Sequence, residues 1–217
     1  MKILKSGLFV FIITMLLSCQ QKSEEEWQIL FNGKDLDDWQ VKINHQQLGD
    51  NYGNTFRVKD SAIVVCYDAY GTFDERYGHL FYKKPFESFH LKFKYRFIEE
   101  WMKDAPSYTY RNSGIMFHSQ DPKTILKNQD WPISIEYQML AEEKSGEPRP
   151  TGNMCSPGTD VFYKGAKSMD HCINSTSKTY TWDTWVEAEL IVYKDSLIIH
   201  KVNGKKSSGI FTDTNRW

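Results

Sequence analysis

The chain carries almost no net charge: 27 Lys and Arg against 28 Asp and Glu leave −1 at pH 7. It has no basic patch and no arginine-rich helix, which makes nucleic acid a poor partner. No segment keeps a sustained 3.6-residue apolar pattern, so an architecture of long amphipathic helices is excluded. No repeat of fixed period is visible, which removes solenoids and propellers. The tight HExxH spacing of a zinc peptidase is absent. Cysteine is scarce, at four residues. The apolar run "LFVFIITMLL", Leu8 to Leu17, is too short to span a bilayer comfortably.

That run has the length of a signal-peptide core, and Lys2 and Lys5 before it form a small positive region. "LLSC" follows and resembles the lipobox of a bacterial lipoprotein, in which Cys19 becomes the lipidated N-terminus. Residues 1–18 then read as a lipoprotein signal peptide, and residues 19–26 as the lipidated Cys and a polar, acidic tether. The expected location is a bacterial membrane, anchored by lipid and facing the periplasm or the cell surface. The remainder, 27–217, is long enough for one domain with a sizeable core. Once Cys19 is set aside, Cys66, Cys155 and Cys172 remain, an odd count that leaves one thiol free. Cys155 and Cys172 flank a loop rich in Gly, Ser and Asp and are expected to pair in an oxidising compartment. Cys66, inside "AIVVCYD", reads as a small core hydrophobe.

What the chain has in quantity is strand pattern and aromatics, with seven Trp, twelve Tyr and thirteen Phe. "FHLKFKYRF", Phe89 to Phe97, alternates without a fault: Phe89, Leu91, Phe93, Tyr95 and Phe97 face one way, His90 and three cations the other. "WVEAELIVY" puts Val186, Ala188, Leu190 and Val192 on one side. Asp195 and Ser196 turn the chain into "LIIHKV", and Asn203-Gly204 is a strong hairpin signal. "TFRVKDSAIVVCY" carries another strand pair around Lys59-Asp60. The fold class is all-β, and the number of strands points to a sandwich or jelly roll.

Two stretches carry polar groups where a plain strand would not. In "RNSGIMFHSQ", Asn112, Gly114, Met116 and His118 fall on one face because strand side chains alternate. In "WPISIEYQML", Ser134, Glu136, Gln138 and Leu140 oppose Ile133, Ile135, Tyr137 and Met139. A charged Glu in that setting costs burial energy unless it is paired or lines a wet cleft. If the two strands are neighbours, His118 comes near Glu136 and Gln138, and a carboxylate beside an imidazole is an acid/base pair. The alternative is a polar outer face holding a His and a Glu by chance.

Motifs along the whole mature chain then carry a resemblance. "ILFNGKDLDDWQ", residues 29–40, looks like the opening motif of the 3-keto-disaccharide hydrolase domain family. "YGHLFYKKPFESFHLKFKYRF", "RNSGIMFHSQ", "WPISIEYQML", "RPTGNMCSPGTDV" and "HCINSTSKTY" resemble its further blocks in order. The resemblance implies a concanavalin A-like sandwich of two curved antiparallel sheets. It also implies cleavage of 3-keto-glycosides. A ketone at C3 acidifies the C2 hydrogen; a base takes it, and the C1 leaving group departs by β-elimination. The outcome is a glycal, or net hydrolysis if water adds back. Such a site needs a base, a group for the O3 oxyanion and an acid for the aglycone, not the paired carboxylates of ordinary glycosidases.

On this reading Glu136 or His118 is the base. His171, on the Cys155–Cys172 loop, is a candidate acid or ligand. Gln138, Asn112, Arg111, Asn153 and His79 are expected to hydrogen-bond the sugar. Gly114 leaves room for a sugar ring close to the backbone. Trp101, Trp131 and Trp182 either stack on a sugar or pack as scaffold. His118, Glu136 and His171, with His79, are residue types that suit a divalent metal acting as a Lewis acid. His45, His90 and His200 read as structural. The expected partners are a carbohydrate substrate and, through the lipid anchor only, a membrane. After the Asn203-Gly204 hairpin the chain reads "GIFTDTNRW", where the resemblance leads to an expectation of further strands; the domain at 27–217 is thus expected to lack its last ones. The rival function is a non-catalytic carbohydrate-binding domain, since the same fold serves both roles.

Overall fold

A computed structural model describes residues 26–143 and 146–211. The expected signal peptide, Cys19 and residues 20–25 of the tether lie outside the described residues. Within them, strands are joined by loops and three short 3-10 turns at Tyr52–Asn54, Ser107–Thr109 and Pro122–Thr124.

Two four-stranded antiparallel sheets form the body. In the first, β6 (Asn112–Phe117), β7 (Ile135–Leu140), β8 (Asn153–Cys155) and β11 (Cys172–Ile173) are ordered β11-β8-β7-β6. In the second, β5 (Ser88–Tyr95), β12 (Val186–Tyr193), β13 (Leu197–Val202) and β14 (Lys205–Phe211) are ordered β14-β13-β12-β5. Three two-stranded pieces accompany them. These are β1 (Trp39–Ile43) with β4 (Gly78–Tyr82), β2 (Phe56–Lys59) with β3 (Ala62–Val65), and β9 (Phe162–Tyr163) with β10 (Ala166–Lys167). The fold is an all-β sandwich of antiparallel sheets, as the sequence pattern and the resemblance both imply.

The alternation in the sequence explains how the layers meet. Phe117, Tyr137, Met139 and Met154 of the first sheet pack against Val186, Ala188, Leu190, Val192, Ile198 and Val202 of the second. Phe89, Leu91, Phe93 and Tyr95 join them from the edge strand β5. Each such side chain taken fully out of water contributes roughly 1.5–3 kcal/mol. The opposite face of β5 carries the solvated charges: His90 and Lys201 both meet Glu189, and Lys94 meets Glu187. The hairpins turn where the sequence says. Asn203 and Gly204 have positive φ, as do Asp60 and Ser61 between β2 and β3.

An imidazole sits inside the core. His200 is fully buried against the Tyr137 ring, with centroids 4.5 Å apart. Its Nδ1 donates to the Gly152 carbonyl at 3.1 Å, while Nε2 is buried without a partner. Gly152 is the residue this contact requires: its φ is +73, and a Cβ there would stand 2.8 Å from Val202 Cγ2. Burial pushes the His200 imidazole down to about 4, so it is a neutral core residue. His45 and His90 are likewise held by Asn128 and Glu189.

Cys155 and Cys172 face each other across β8 and β11 and are disulfide-bonded, with a sequence separation of 17. Cys66 is a half-buried free thiol. Replacing both paired cysteines by serine is expected to lower stability by about 3 kcal/mol, because a loop of this size is no longer closed in the unfolded chain. Urea unfolding with the slope fitted separately for each protein reads this out, since the opened chain exposes more surface when unfolded; an unchanged unfolding free energy means the cross-link carries no stability.

Candidate active site

The two polar-marked stretches are adjacent strands. β6 and β7 pair antiparallel with Met116 opposite Glu136, Gly114 opposite Gln138 and Asn112 opposite Leu140. On the other side of β7, Glu136 meets Cys155 and Gln138 meets Asn153. Since Tyr137 and Met139 point into the core, Glu136 and Gln138 stand on the opposite face.

Glu136 lies across the backbone of Gly114. A Cβ at residue 114 would be 2.6 Å from Glu136 Cγ and 2.7 Å from Cδ, so no other residue fits beneath this side chain as it stands. The room expected there for a sugar ring is taken by the glutamate itself. Glu136 is only 8% exposed. Among the described residues its carboxyl has no hydrogen bond or ion pair, and burial alone pushes it up to about 7. Removing a carboxylate from water without a counter-charge favours the neutral acid.

Gln138 is oriented from behind. Its Oε1 accepts from Asn153 Nδ2 at 3.0 Å. Asn153 is 2% exposed, donates also to the Pro150 carbonyl at 3.0 Å and accepts from Ser175 N at 2.9 Å. Its amide is thus consumed in holding Gln138 and the neighbouring backbone. The Gln138 Nε2 amide has no partner among the described residues and stays available as a donor beside Glu136.

Asn112 shares this face, opposite Leu140 and next along β6 from Gly114; the other expected residues are not brought to this point. His118 has φ +48 and leaves the strand, so the alternation that would aim it along Glu136 ends at Phe117. It is exposed, and its Nε2 donates to the Lys194 carbonyl at 3.0 Å, in the turn between β12 and β13 of the other sheet. His171 is exposed and precedes β11, which β8 separates from β7; two strand spacings are roughly 10 Å. His79 donates Nε2 to the Asp130 carbonyl at 2.7 Å, and burial lowers its pKa. Arg111 donates Nη1 to the Glu142 carbonyl at 2.8 Å and stacks on Tyr110 and Trp182. Asn112 donates to the Tyr108 carbonyl at 2.9 Å. Among the described residues, no group of three or more His, Cys, Asp or Glu lies close enough to hold a metal ion. His118, His171, His79 and Glu136 therefore do not form the donor set considered for a divalent cation.

The sequence offers Trp131 as a stacking candidate but not its aromatic neighbours Tyr77 and Tyr108. Tyr108 OH meets Tyr77 OH at 2.5 Å, and the Tyr77 ring meets the Trp131 indole at 4.7 Å between centroids. The Tyr108 end is tied to Asn112, at the start of β6. The Trp131 end leads into Ser134, whose Oγ lies 3.4 Å from Met116 Sδ. The three rings thus link the chain entering β6 to the chain entering β7. Residues 77, 108 and 131 come from three separate segments, so no local pattern links them. Trp101, by contrast, spends its indole N–H on Thr109 Oγ1 at 3.0 Å.

The model of the 3-keto-alpha-glucoside-1,2-lyase-like domain matches residues 26–217. The chain belongs to this family. No curated protein matches it.

The buried carboxyl also has a thermodynamic signature. Glu136 is raised from 4.5 to about 7, so between these values the folded state holds a proton that the unfolded chain releases. Its contribution to stability is full below pH 4.5 and is lost as pH rises to 7, by about 3 kcal/mol. His200, lowered from 6.5 to about 4, acts oppositely: its contribution is full above pH 6.5 and is lost as pH falls toward 4. The two slopes oppose one another across the acid range. Glu136→Gln is expected to match the wild type at pH 4 and to be the more stable protein at pH 8, with stability now rising with pH. Urea unfolding at both pH values measures this, and equal stabilities at pH 8 would contradict the raised carboxyl.

Proposed function

We propose that the protein cleaves 3-keto-α-glucosides by β-elimination, with Glu136 as the base. The observation that carries this reading is the Glu136 carboxyl, buried, unpaired and raised to about 7. A base acts best when its pKa lies near the working pH, where it is substantially ionised yet still basic enough to take a carbon-bound proton.

The steps balance as follows. The ionised Glu136 oxygen takes the C2 hydrogen, and the electron pair of the broken C–H bond moves toward C3, leaving negative charge on the ketone oxygen. The Gln138 Nε2 amide donates to that oxygen, and Asn153 holds the amide in place. The enediolate then collapses: C1=C2 forms, C3=O returns, and the bond from C1 to the leaving oxygen breaks. The proton collected by Glu136 is returned to the leaving oxygen. Water adding across C1=C2 converts the glycal into the free sugar, which makes the net reaction hydrolysis. No second carboxylate is required, and no charged neighbour contributes to the Glu136 shift; the paired acids of ordinary glycosidases sit close enough to interact. An exported, lipid-anchored setting is part of this reading. It rests on the sequence around Cys19 and is supported by the Cys155–Cys172 disulfide, a cross-link favoured outside the cytosol.

Glu136→Gln keeps the shape over Gly114 and removes the base. It is expected to lower turnover of a 3-keto-α-glucoside at least about a hundredfold while the far-UV spectrum is unchanged. In the wild type, kcat/KM is expected to rise with pH through about 7, the pH at which Glu136 ionises. Release of both glycal and aglycone is followed; near-wild-type turnover in the variant removes Glu136 from the chemistry.

A further inference from the structure

Along β7 the order of groups is directional. Gln138 comes last, Glu136 two residues before it, Ser134 two before that, and Trp131 at the chain leading in. In the substrate the order of atoms is the ketone oxygen on C3, the acidic hydrogen on C2, and the leaving group on C1. With the ketone oxygen at Gln138 and C2 over Glu136, C1 and its substituent extend toward Ser134 and Trp131.

The segment that carries Trp131 is fixed with unusual care. Lys42 is 2% exposed and, among the described residues, has no carboxylate partner; it gives its ammonium to the Ile43 and Lys127 carbonyls at 2.9 and 3.2 Å. Asp130 is held at both ends, its side chain by Asn44 at 2.7 Å and its carbonyl by His79 at 2.7 Å. The Trp131 carbonyl accepts from Gln129 at 2.8 Å. Burying a lysine, an asparagine and a histidine for one loop is costly. Yet the loop leaves the Trp131 indole 38% exposed, backed by Tyr77. A large ring held rigidly and left open loses little freedom when a ligand stacks on it.

We propose that Trp131 is the platform for the leaving group and sets its size, selecting substrates whose aglycone is itself a ring, such as a second pyranose. This inference rests on the Glu136 and Gln138 assignment, and the test separates the two. Two substrates are compared, methyl 3-keto-α-glucoside and a 3-keto-disaccharide with glucose as the leaving group. Trp131→Ala is expected to lower kcat/KM about tenfold for the disaccharide, the size of a stacking contact, and to leave the methyl glycoside within about twofold. Trp131→Phe keeps a ring and is expected to restore most of the disaccharide activity. Equal losses on both substrates, or no loss on either, overturn the proposal. If the wild type turns over neither substrate, the elimination reading fails, and the same two keto sugars are titrated calorimetrically into the wild type and Trp131→Ala. Loss of affinity confined to the disaccharide then upholds the platform; equal affinities, or no binding of either sugar, overturn it.

Discussion

The side chain of Glu136 rests on the bare backbone of Gly114, and that contact requires the two strands beneath it to keep one register. A shift of one residue would exchange the faces of β7, sending Glu136 into the core and Tyr137 out of it. Tyr137 is therefore as much a part of the site as its neighbours. It is fully buried between the sheets, and its hydroxyl donates to the Lys201 carbonyl at 2.9 Å. Gly152 donates its N–H to the Gln138 carbonyl and gives its own carbonyl to His200. The core on one side of β7 thus fixes the placement of the groups on the other.

Holding a carboxyl in this way costs stability at neutral pH, and other parts of the sandwich offset it. The facing sheets contribute the apolar burial. The disulfide closes the loop between β8 and β11, and its Cys155 is the cross-strand neighbour of Glu136. Asn153 spends every hydrogen bond it has on orienting Gln138 and its surroundings. Around Glu136 and Gln138 this expense falls on one carboxyl and one amide, the two groups that the proposed elimination uses.

Much of the fold was legible because strand alternation is a local property. The faultless pattern of Phe89 to Phe97 and the Asn203-Gly204 turn correspond directly to β5 and the β13–β14 hairpin. Glu136 and Gln138 could be placed on one face for the same reason. His118 could not, because alternation holds only while the backbone stays extended, and a single left-handed residue ends it. Gly114 was legible as a gap but not in its use, since the gap is filled diagonally by Glu136 and not by Gln138, the residue directly opposite. The wall of Tyr77, Tyr108 and Trp131 had no local signature. It depends on loop contacts such as His79 with Asp130, which join segments 51 residues apart.

A binding domain and a lyase built on one sandwich differ in what they ask of a carboxylate. A carboxylate that only binds a hydroxyl is improved by ionisation and by donors around it, which lower its pKa. Among the described residues Glu136 has neither a donor nor a cation, and its pKa moves the other way. The unpaired carboxyl is a poor hydrogen-bonding anchor but a strong base when ionised, because no interaction with the protein is lost when it takes a proton. The amide beside it is arranged in the opposite sense, with one end clamped and the other free to donate. A base without competing partners next to a preorganised donor matches the two charges that move in enolisation.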